Sequence, residues 1–343
     1  MRDSHRTRIT WLSTMRMVSS IKFRGISRQL STKSSRSSNE TAAGKRRFFK
    51  NVGVVPVAPP WVSSPLSATA MDSPVSAGVD GSNSASGLTS SLESSSVLHR
   101  RLEPNVATEG WFGITLDGRT LKTPLGQTLA LPSRALAWGI AVEWDKQETT
   151  LQPAQMPLMS LACTALDQTA SARDSAAEHV LRYLPTDTTC YWADPSEDRV
   201  LHKNQKRCWE PIHHHCRSLF GSEPATAMGA GEGILMSRAR AQKGSGLPHA
   251  PVLVQNAKSF VEQLDAWELT ALQSITAESK SFLVGAAVIT RGISSADAIA
   301  ASRVEEEFQI SNWGMVEGGH DYDRLNCSIQ IRSACTLISS ISL

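Results

Sequence analysis

The stretch that decides the fold class is Gly110–Ser133, GWFGITLDGRTLKTPLGQTLALPS. Within it, Phe112, Ile114 and Leu116 alternate with other residues, so they share one face of a strand. The Asp117-Gly118 pair that follows is a strong signal for a tight hairpin turn. Two further strands are predicted after this turn, at 119–123 and 127–131. The stretch therefore predicts a small antiparallel meander.

The chain after the meander is predicted to be mainly helical. Pro132-Ser133 starts a helix in which Leu136, Ile140 and Trp144 recur every four residues and form a buried stripe. Further helices are predicted at 160–168, 175–184, 202–220, 256–280, 281–291 and from 296 onward. The fold class is therefore α+β, in which a small antiparallel β-rich N-terminal domain (106–150, with its lead-out helix) precedes an all-helical C-terminal domain (151–343).

The segment before the meander divides into three parts by composition. Residues 1–45 are rich in Arg and Ser and nearly free of acids, which is typical of an organelle transit peptide. A first strand is expected within 46–57, where β-branched residues are frequent. Residues 58–105 hold too few large apolar side chains for a core and are predicted to be a disordered Ser-rich insertion. A longer presequence or an artefact of the gene model would also explain this stretch.

The net charge of +3 combines two opposed parts of the chain. Residues 1–50 hold 13 Lys or Arg and two acids, a net charge of +11, and the remainder holds 22 basic and 30 acidic residues, a net charge of −8. An acidic body disfavours nucleic-acid binding, which needs a basic face. No apolar run approaches the roughly 20 residues that span a bilayer, so no membrane insertion is expected. The six cysteines form no CxxC pair, which disfavours a disulfide framework.

A second informative stretch is Arg303–Asp321, RVEEEFQISNWGMVEGGHD. Ser294 and Asp297 just before it form a capping box, which predicts a helix from about 296 toward Trp313. The apolar residues of this helix fall on two faces, so we expect it to be wedged into a helical core. They are Ala300, Val304 and Phe308 on one face, and Ile299, Ile310 and Trp313 on the other. Arg303 and Glu307 are expected to form a solvated ion pair one turn apart.

Glu306 lies in the same predicted helix, between the apolar residues of one face. An unpaired carboxylate would be costly to bury there. Two explanations stay open. Either the helix is straight and Glu306 lies at a partner-binding or otherwise functional edge, or the helix ends early and Glu306 is simply exposed.

A cluster of metal-ligand residue types lies in the predicted helix 202–220. It consists of Cys208, His213, His214, His215 and Cys216. Consecutive histidines point in different directions on a helix, and the cysteines are too far apart for the paired short spacings of zinc sites. An exposed polar helix face is therefore the favoured interpretation, and no metal is expected.

A hydrolase that uses Asp187, Cys190 or His320 is the alternative from a different class. Cys190 follows an acid and several hydroxyls, and His320 precedes Asp321, which could orient it as a general base. The sequence places no histidine beside Cys190, and a thiol needs a base or a lowered pKa to react. Turn and cap hydrogen bonds are the favoured role for these residues.

Several segments together resemble one protein family, in the order in which that family carries them. They are GWFGITLDGRTLKTPLGQTLALPS (110–133), AVEWDKQ (141–147), MPLMSLACTALD (156–167), YLPTDTTCYW (183–192), Gln205 with WEPI (209–212), and EEEFQISNWGMVEGGHD (305–321). The pattern is similar to that of the assembly chaperones of the mitochondrial ATP synthase F1 sector, which hold the free α subunit. The closing stretch, 327–343, fits the last helix of that family poorly.

The resemblance implies a non-enzymatic chaperone of the mitochondrial matrix that shields the unassembled α subunit from aggregation. We expect a monomer without a cofactor. The functionally important acidic residue of the family maps onto the run Glu305, Glu306 and Glu307, and the helical geometry favours Glu306. Together with Gln309 and Trp313, these residues are the predicted partner-binding set.

Overall fold

The computed structural model describes residues 45–61, 104, 110–228 and 246–342. The predicted transit peptide, except for its last residue, lies outside these ranges. So do almost all of the predicted Ser-rich insertion and the Gly- and Arg-rich stretch 229–245. The residues from Lys45 onward form one compact unit. The division of that unit into two domains at residue 150 stays a prediction.

A three-stranded antiparallel sheet begins the described chain. Its strands are β1 Val52–Val57, β2 Trp111–Leu116 and β3 Arg119–Thr120, in the order β1-β2-β3. Asp117 and Gly118 both have positive φ, 48° and 81°, as a two-residue turn with the twist of a hairpin requires. The predicted hairpin and first strand are thus confirmed.

The predicted third strand at 127–131 was too long. Its pairing is reduced to isolated bridges, Lys122 with Thr128 and Phe112 with Leu131. The reason is that this segment changes partners along its length. The N–H of Leu129 donates to the Leu121 carbonyl, whereas Leu131 exchanges hydrogen bonds with Phe112 of β2.

The helix α1, Arg134–Asp145, follows the sheet where the sequence predicts it. The Ser133 hydroxyl accepts the N–H of Leu136 at 3.1 Å and caps its first turn. Leu136, Ile140 and Trp144 are buried, as predicted, and α1 packs on β1 and β2. The helix therefore covers one face of the sheet.

The remaining helices form the larger part of the molecule. They are α2 Pro157–Thr164 with a π-helical continuation Ala165–Thr169, α3 Arg173–Leu181, α4 Arg199–Phe220, α5 Pro251–Gln263, α6 Ala266–Ser279, α7 Phe282–Ile289, α8 Ser295–Trp313 and α9 His320–Ile341. Short 3-10 turns lie at Pro153–Gln155, Leu184–Thr186 and Thr188–Cys190, and a two-residue parallel pair joins β4 Tyr191–Trp192 to β5 Ala227–Met228. The α+β class is confirmed. No helix within the described ranges is long and apolar enough to cross a membrane.

Two helix predictions need correction. The single helix predicted over 256–280 is two helices, because Leu264 is extended and Asp265 caps a new helix through a capping box with Glu268. The helix α9 was not predicted, although it buries Cys327, Ile331 and Leu337. The apolar residues of α9 recur at helical spacing, but the serines between them make this pattern hard to recognise in the sequence.

The core centres on α6 and α7, against which α9 packs. Every residue of α7 from Phe282 to Val288 is buried, so the helix predicted at 281–291 lies within the core. Gly285 allows the close contact of α7 with α6, since a Cβ at this position would come within 2.7 Å of the Leu272 and Thr276 side chains. The close contact between α6 and α7 therefore lies at the centre of the helical part of the molecule.

Glu143 joins α1 to the helical part of the chain. Its carboxylate accepts the backbone N–H groups of Leu158 and Met159, both at 2.8 Å. These groups belong to the first turn of α2, which has no side-chain cap of its own. Burial raises the pKa of Glu143 to about 7, although the two backbone hydrogen bonds favour the ionised form.

Candidate partner-binding surface

The predicted functional stretch lies on a helical hairpin formed by α8 and α9. The capping box at its start is present, because the Ser294 hydroxyl accepts the Asp297 N–H and the Asp297 carboxylate accepts the Ser294 N–H, both at 3.2 Å. The helix α8 continues to Trp313 and ends at Gly314, which has a φ of 83°. After a turn, α9 begins at His320. We call these two helices and their turn the α8–α9 hairpin.

Arg303 is the buried centre of the charged residues on α8, with 5% of its surface exposed. Its guanidinium lies 2.9 Å from the Glu306 carboxylate and 3.2 Å from that of Glu307. The expected ion pair between Arg303 and Glu307 is present, but the expectation that it is solvated is wrong for Arg303, which is buried. The helices packed around the first half of α8 remove Arg303 from water, and the two carboxylates balance its charge.

Glu307 also links the two helices of the hairpin. Arg324 of α9 donates two hydrogen bonds to its carboxylate, at 3.0 and 2.6 Å. This forked contact is the strongest kind of carboxylate recognition by arginine. The hydrogen bond from Arg324 is the main cause that lowers the pKa of Glu307 below its ordinary value. Glu307 therefore has a role inside the protein.

Glu305 is turned toward α4. Its carboxylate accepts a hydrogen bond from the Gln205 side-chain amide at 2.9 Å, and the Gln205 carbonyl oxygen accepts the N–H of Ala193 at 2.7 Å. Burial raises the pKa of Glu305, and the Gln205 hydrogen bond opposes that effect. The Glu305 carboxylate thus joins α8 to α4 and to the chain that follows β4.

Glu306, Gln309 and Trp313 share one stripe of α8. At 100° per residue they fall within about 60° of one another, whereas Glu307 lies about 100° from Glu306 on one side and Glu305 lies about 40° beyond Gln309 on the other. The Glu306 side chain is 31% exposed and Trp313 is 74% exposed. The helix α8 runs unbroken to Trp313, so the alternative in which it ends early is wrong. Glu306 is partly exposed and paired with Arg303, and its place at a partner-binding edge stays a prediction.

The prediction that α8 is wedged into the core on two faces was wrong, because only Val304 of the six apolar residues assigned to those faces is buried, and Ala300 and Trp313 are exposed. Ala298, Ala301 and Val304 are buried, but residues 311–318 are exposed. The hairpin therefore presents its far end to solvent. The exposed fractions of the large apolar side chains there lie between 49% and 74%. These residues are Trp313, Met315, Val316, Tyr322 and Leu325.

A small cleft lies between α4 and the other side of α8. Its volume is about 250 Å³. It is lined by Asn204, Arg207, Cys208, Ala300, Val304, Glu307, Phe308 and Ser311. The cleft faces away from the stripe that carries Glu306 and Trp313, since Ser311 lies about 160° around the helix from Trp313.

The residues of the alternative hydrolase are placed where they serve the fold. The Asp187 carboxylate is fully buried and accepts hydrogen bonds from Thr189, Ser281 and the Leu283 N–H. Cys190 is fully buried too, and burial raises the pKa of its thiol well above the ordinary range. His320 is the first residue of α9, and its ring nitrogen Nδ1 accepts the N–H of Val316 in the preceding turn at 3.0 Å. This geometry makes a thiolate nucleophile at Cys190 unfavourable.

The histidine and cysteine cluster of α4 is not an exposed polar face, so that interpretation was wrong. His213 and Cys216 are buried, and His215 makes a hydrogen bond of 2.7 Å to the Thr290 hydroxyl, while His214 is exposed. Burial lowers the pKa of His213. Within the part of the chain that the structure describes, no group of three or more His, Cys, Asp or Glu residues could hold a metal ion.

The chain is similar to known proteins in sequence and in fold. A family model described as "ATP12 chaperone protein" matches residues 97–217. The protein named "Protein atp12, mitochondrial" of Schizosaccharomyces pombe is 27% identical over 248 residues, which cover 69% of this chain and 81% of that protein. "Protein ATP12, mitochondrial" of Saccharomyces cerevisiae is 24% identical over 259 residues, 66% of this chain and 78% of that protein.

Among solved structures, Atp12 from Paracoccus denitrificans superposes with a TM-score of 0.58 at 28% sequence identity, over 70% of this chain and 97% of that one. The family-model match ends within α4, before the α8–α9 hairpin. The structural match extends over most of the described chain. The sequence motifs, the family model and the shared fold agree, and each of them makes the chain similar to the ATP12 chaperone family.

Proposed function

We propose that this protein is an assembly chaperone for the F1 sector of mitochondrial ATP synthase that binds the unassembled α subunit. It acts in the mitochondrial matrix as a monomer without a cofactor. The family description and the names of its mitochondrial relatives support the chaperone role and the organelle. The partner subunit and the matrix are the finer parts of the proposal, and they follow from the resemblance in sequence.

The observation that carries the proposal is the stripe Glu306, Gln309 and Trp313 on α8. Trp313 is 74% exposed, and tryptophan is among the residue types most enriched at binding hot spots; the partly exposed Glu306 lies two turns away on the same stripe. The neighbours Glu305 and Glu307 bond to Gln205 and Arg324 and hold the helix in register. A rigid helix with one exposed stripe suits a protein that must hold a partner and release it.

The test is the substitution Glu306→Lys, with Glu306→Gln as the milder variant. We expect Glu306→Gln to fold, because Arg303 keeps Glu307 as a partner, whereas Glu306→Lys also places a cation beside the buried Arg303 and should unfold at a lower temperature. Below that temperature we expect Glu306→Lys to bind the α subunit more weakly by about tenfold or more. Binding is measured by pull-down of isolated α subunit, and its protection by light scattering during dilution from denaturant. Thermal unfolding of each variant reports folding.

Glu262→Lys on α5 is the matched control, since it makes the same charge change at an exposed helical position. It should bind like the wild type. A folded Glu306→Lys variant that holds the α subunit as well as the control does would refute the role of Glu306. Wild-type protein that leaves isolated α subunit to precipitate would refute the proposed function.

A further inference from the structure

The far end of the α8–α9 hairpin, residues 311–325, carries apolar side chains that the sequence analysis did not assign. We call these residues the hairpin tip. We propose that the hairpin tip is a docking surface for a polypeptide segment that presents apolar side chains flanked by lysine or arginine. The identity of the protein that carries this segment rests on the proposed function, but the chemistry of recognition does not.

The first observation is the amount of exposed apolar surface in a short stretch. Met315, Val316, Tyr322 and Leu325 are exposed by 49% to 69%, next to Trp313 at the end of α8. A single exposed apolar side chain is ordinary, but a group of them at one end of a folded protein marks an interaction site. Tyr322 and Leu325 are one turn apart on α9, so they lie on the same side of that helix.

The core cannot take up these side chains by a small adjustment. The opposite face of α9 is already packed, with Cys327, Ile331 and Ala334 buried. Because successive turns of α9 are fixed by that packing, Tyr322 and Leu325 stay outward. The exposed group is thus a consequence of the register in which α9 docks.

The second observation is the charge of the tip. Glu317, Asp321 and Asp323 are exposed carboxylates among the apolar side chains, and the arginine of the tip, Arg324, is bonded to Glu307. Asp321 and Asp323 also stabilise the positive end of the α9 dipole, whereas Glu317 lies in the turn and has no such role. The tip therefore has negative potential, and a basic segment is its electrostatic complement.

The third observation is that the tip is held in shape before any partner arrives. The Glu307–Arg324 fork ties α8 to α9 across 17 residues of sequence. In the turn, the N–H groups of Gly319 and His320 donate to the Val316 carbonyl, and the Val316 N–H donates to the His320 ring. A preformed surface loses less conformational entropy on binding than a mobile one does.

The experiment uses the full chain and two short labelled peptides. One peptide has leucine and phenylalanine flanked by lysine, and the other has glutamate in place of each lysine. Fluorescence anisotropy at low and high salt measures binding to wild type, to Tyr322→Ser/Leu325→Ser and to Glu317→Lys. Val200→Ser, an exposed apolar position on α4, and Glu262→Lys serve as the controls.

We expect wild type and both controls to bind the lysine peptide and to discriminate against the glutamate peptide by about tenfold or more. The double serine variant should lose at least about tenfold in affinity for the lysine peptide. Glu317→Lys should bind it more weakly and with a shallower salt dependence. Equal binding of the two peptides, or tip variants that bind like the controls, would overturn the inference. So would a wild-type dimer that the serine variant dissociates, because the tip would then serve self-association.

The same variants are then tested with isolated α subunit, which separates this inference from the proposed function. If the tip binds the lysine peptide but wild type does not hold the α subunit, the proposed partner is wrong and the tip inference stands. If wild type holds the α subunit and the tip variants hold it equally well, the proposed function stands and the α subunit is not the protein that docks at the tip; the tip inference itself then stands or falls with the lysine peptide.

Discussion

At the scale of single residues, Asp117 shows how one side chain joins distant parts of the chain. Its carboxylate accepts the N–H of Asn51 at 2.8 Å and that of Lys50 at 3.1 Å, more than 60 positions away in sequence. Its own N–H donates to the Asn51 carbonyl. The sequence predicts the Asp117-Gly118 turn. It does not predict the hydrogen bonds from the segment before β1 to Asp117, because a long stretch of sequence separates the two.

The first prediction concerns the pH dependence of the Asp117 contact. The backbone hydrogen bonds from Asn51 and Lys50 lower the pKa of Asp117 below its ordinary value. Because the folded-state pKa is depressed, the carboxylate stabilises the fold above the unfolded-state pKa, and this contribution is lost as the pH falls through the folded-state pKa. We expect Asp117→Asn, which still tolerates the positive φ, to be less stable than wild type at pH 7.

Urea unfolding at pH 7 and at about pH 3 measures this difference, which should shrink at the lower pH as the wild-type carboxyl becomes protonated. Glu262→Gln on α5 is a control that should show little effect at either pH. If wild type is more stable than Asp117→Asn by the same free energy at both pH values, the charge of Asp117 has no part in the contact.

At the scale of elements, the α8–α9 hairpin was predicted only in part. The capping box predicted the start of α8 correctly, because it depends only on two residues that are three positions apart. The partners of the three glutamates were not predictable from periodicity, since Gln205 and Arg324 belong to other helices. The exposure of Trp313 was missed for the same reason. Helical spacing tells which residues share a face, but only packing tells whether that face is covered.

The second prediction is that Glu307→Gln loosens the hairpin. The substitution removes the charged fork to Arg324 while Arg303 keeps Glu306. The pair is partly exposed, so we expect a loss in the free energy of unfolding of about 1 kcal/mol or less, and a smaller loss at high salt. Thermal unfolding at low and high salt checks this, together with faster amide exchange in residues 311–325.

Glu178→Gln is the matched control, because Glu178 pairs with Arg182 one turn away on the surface of α3. An exposed ion pair within one helix should contribute almost nothing to the free energy of unfolding, so we expect Glu178→Gln to be as stable as wild type. Amide exchange at the tip that is unchanged by Glu307→Gln would show that packing alone holds the hairpin together.

At the scale of the whole molecule, the chain closes on itself at two places. The Ser133 hydroxyl at the start of α1 donates to the Ser340 carbonyl of α9 at 2.6 Å. At the other end, the Lys45 carbonyl accepts the Leu151 N–H at 2.8 Å, and Phe49 is buried against Trp144 with ring centroids 5.6 Å apart. The residues from Lys45 to β1 therefore belong to the folded unit.

The third prediction is that the chain can be shortened from its N-terminus up to Gly44 without loss of stability, but not as far as Val57. A chain that starts at Lys45 should unfold at the same temperature as a chain that keeps the residues before it. A chain that starts at residue 58 loses β1 and the buried Phe49 ring, and should be destabilised by more than about 3 kcal/mol. Circular dichroism during heating measures both. Equal stability of the two truncated chains would show that β1 is dispensable.

What the sequence alone determined is the local part of the structure and the resemblance to the family. The hairpin turn at Asp117-Gly118, the caps at Ser133 and Ser294, and the buried stripe of α1 all depend on residues within a few positions of one another. The tertiary structure decided that Arg303 is buried, that Glu305 and Glu307 serve the fold, and that α9 exposes Tyr322 and Leu325. These outcomes depend on contacts between residues 17 to 100 positions apart, as for Glu307 with Arg324 and Glu305 with Gln205, and on which faces the packed helices leave uncovered.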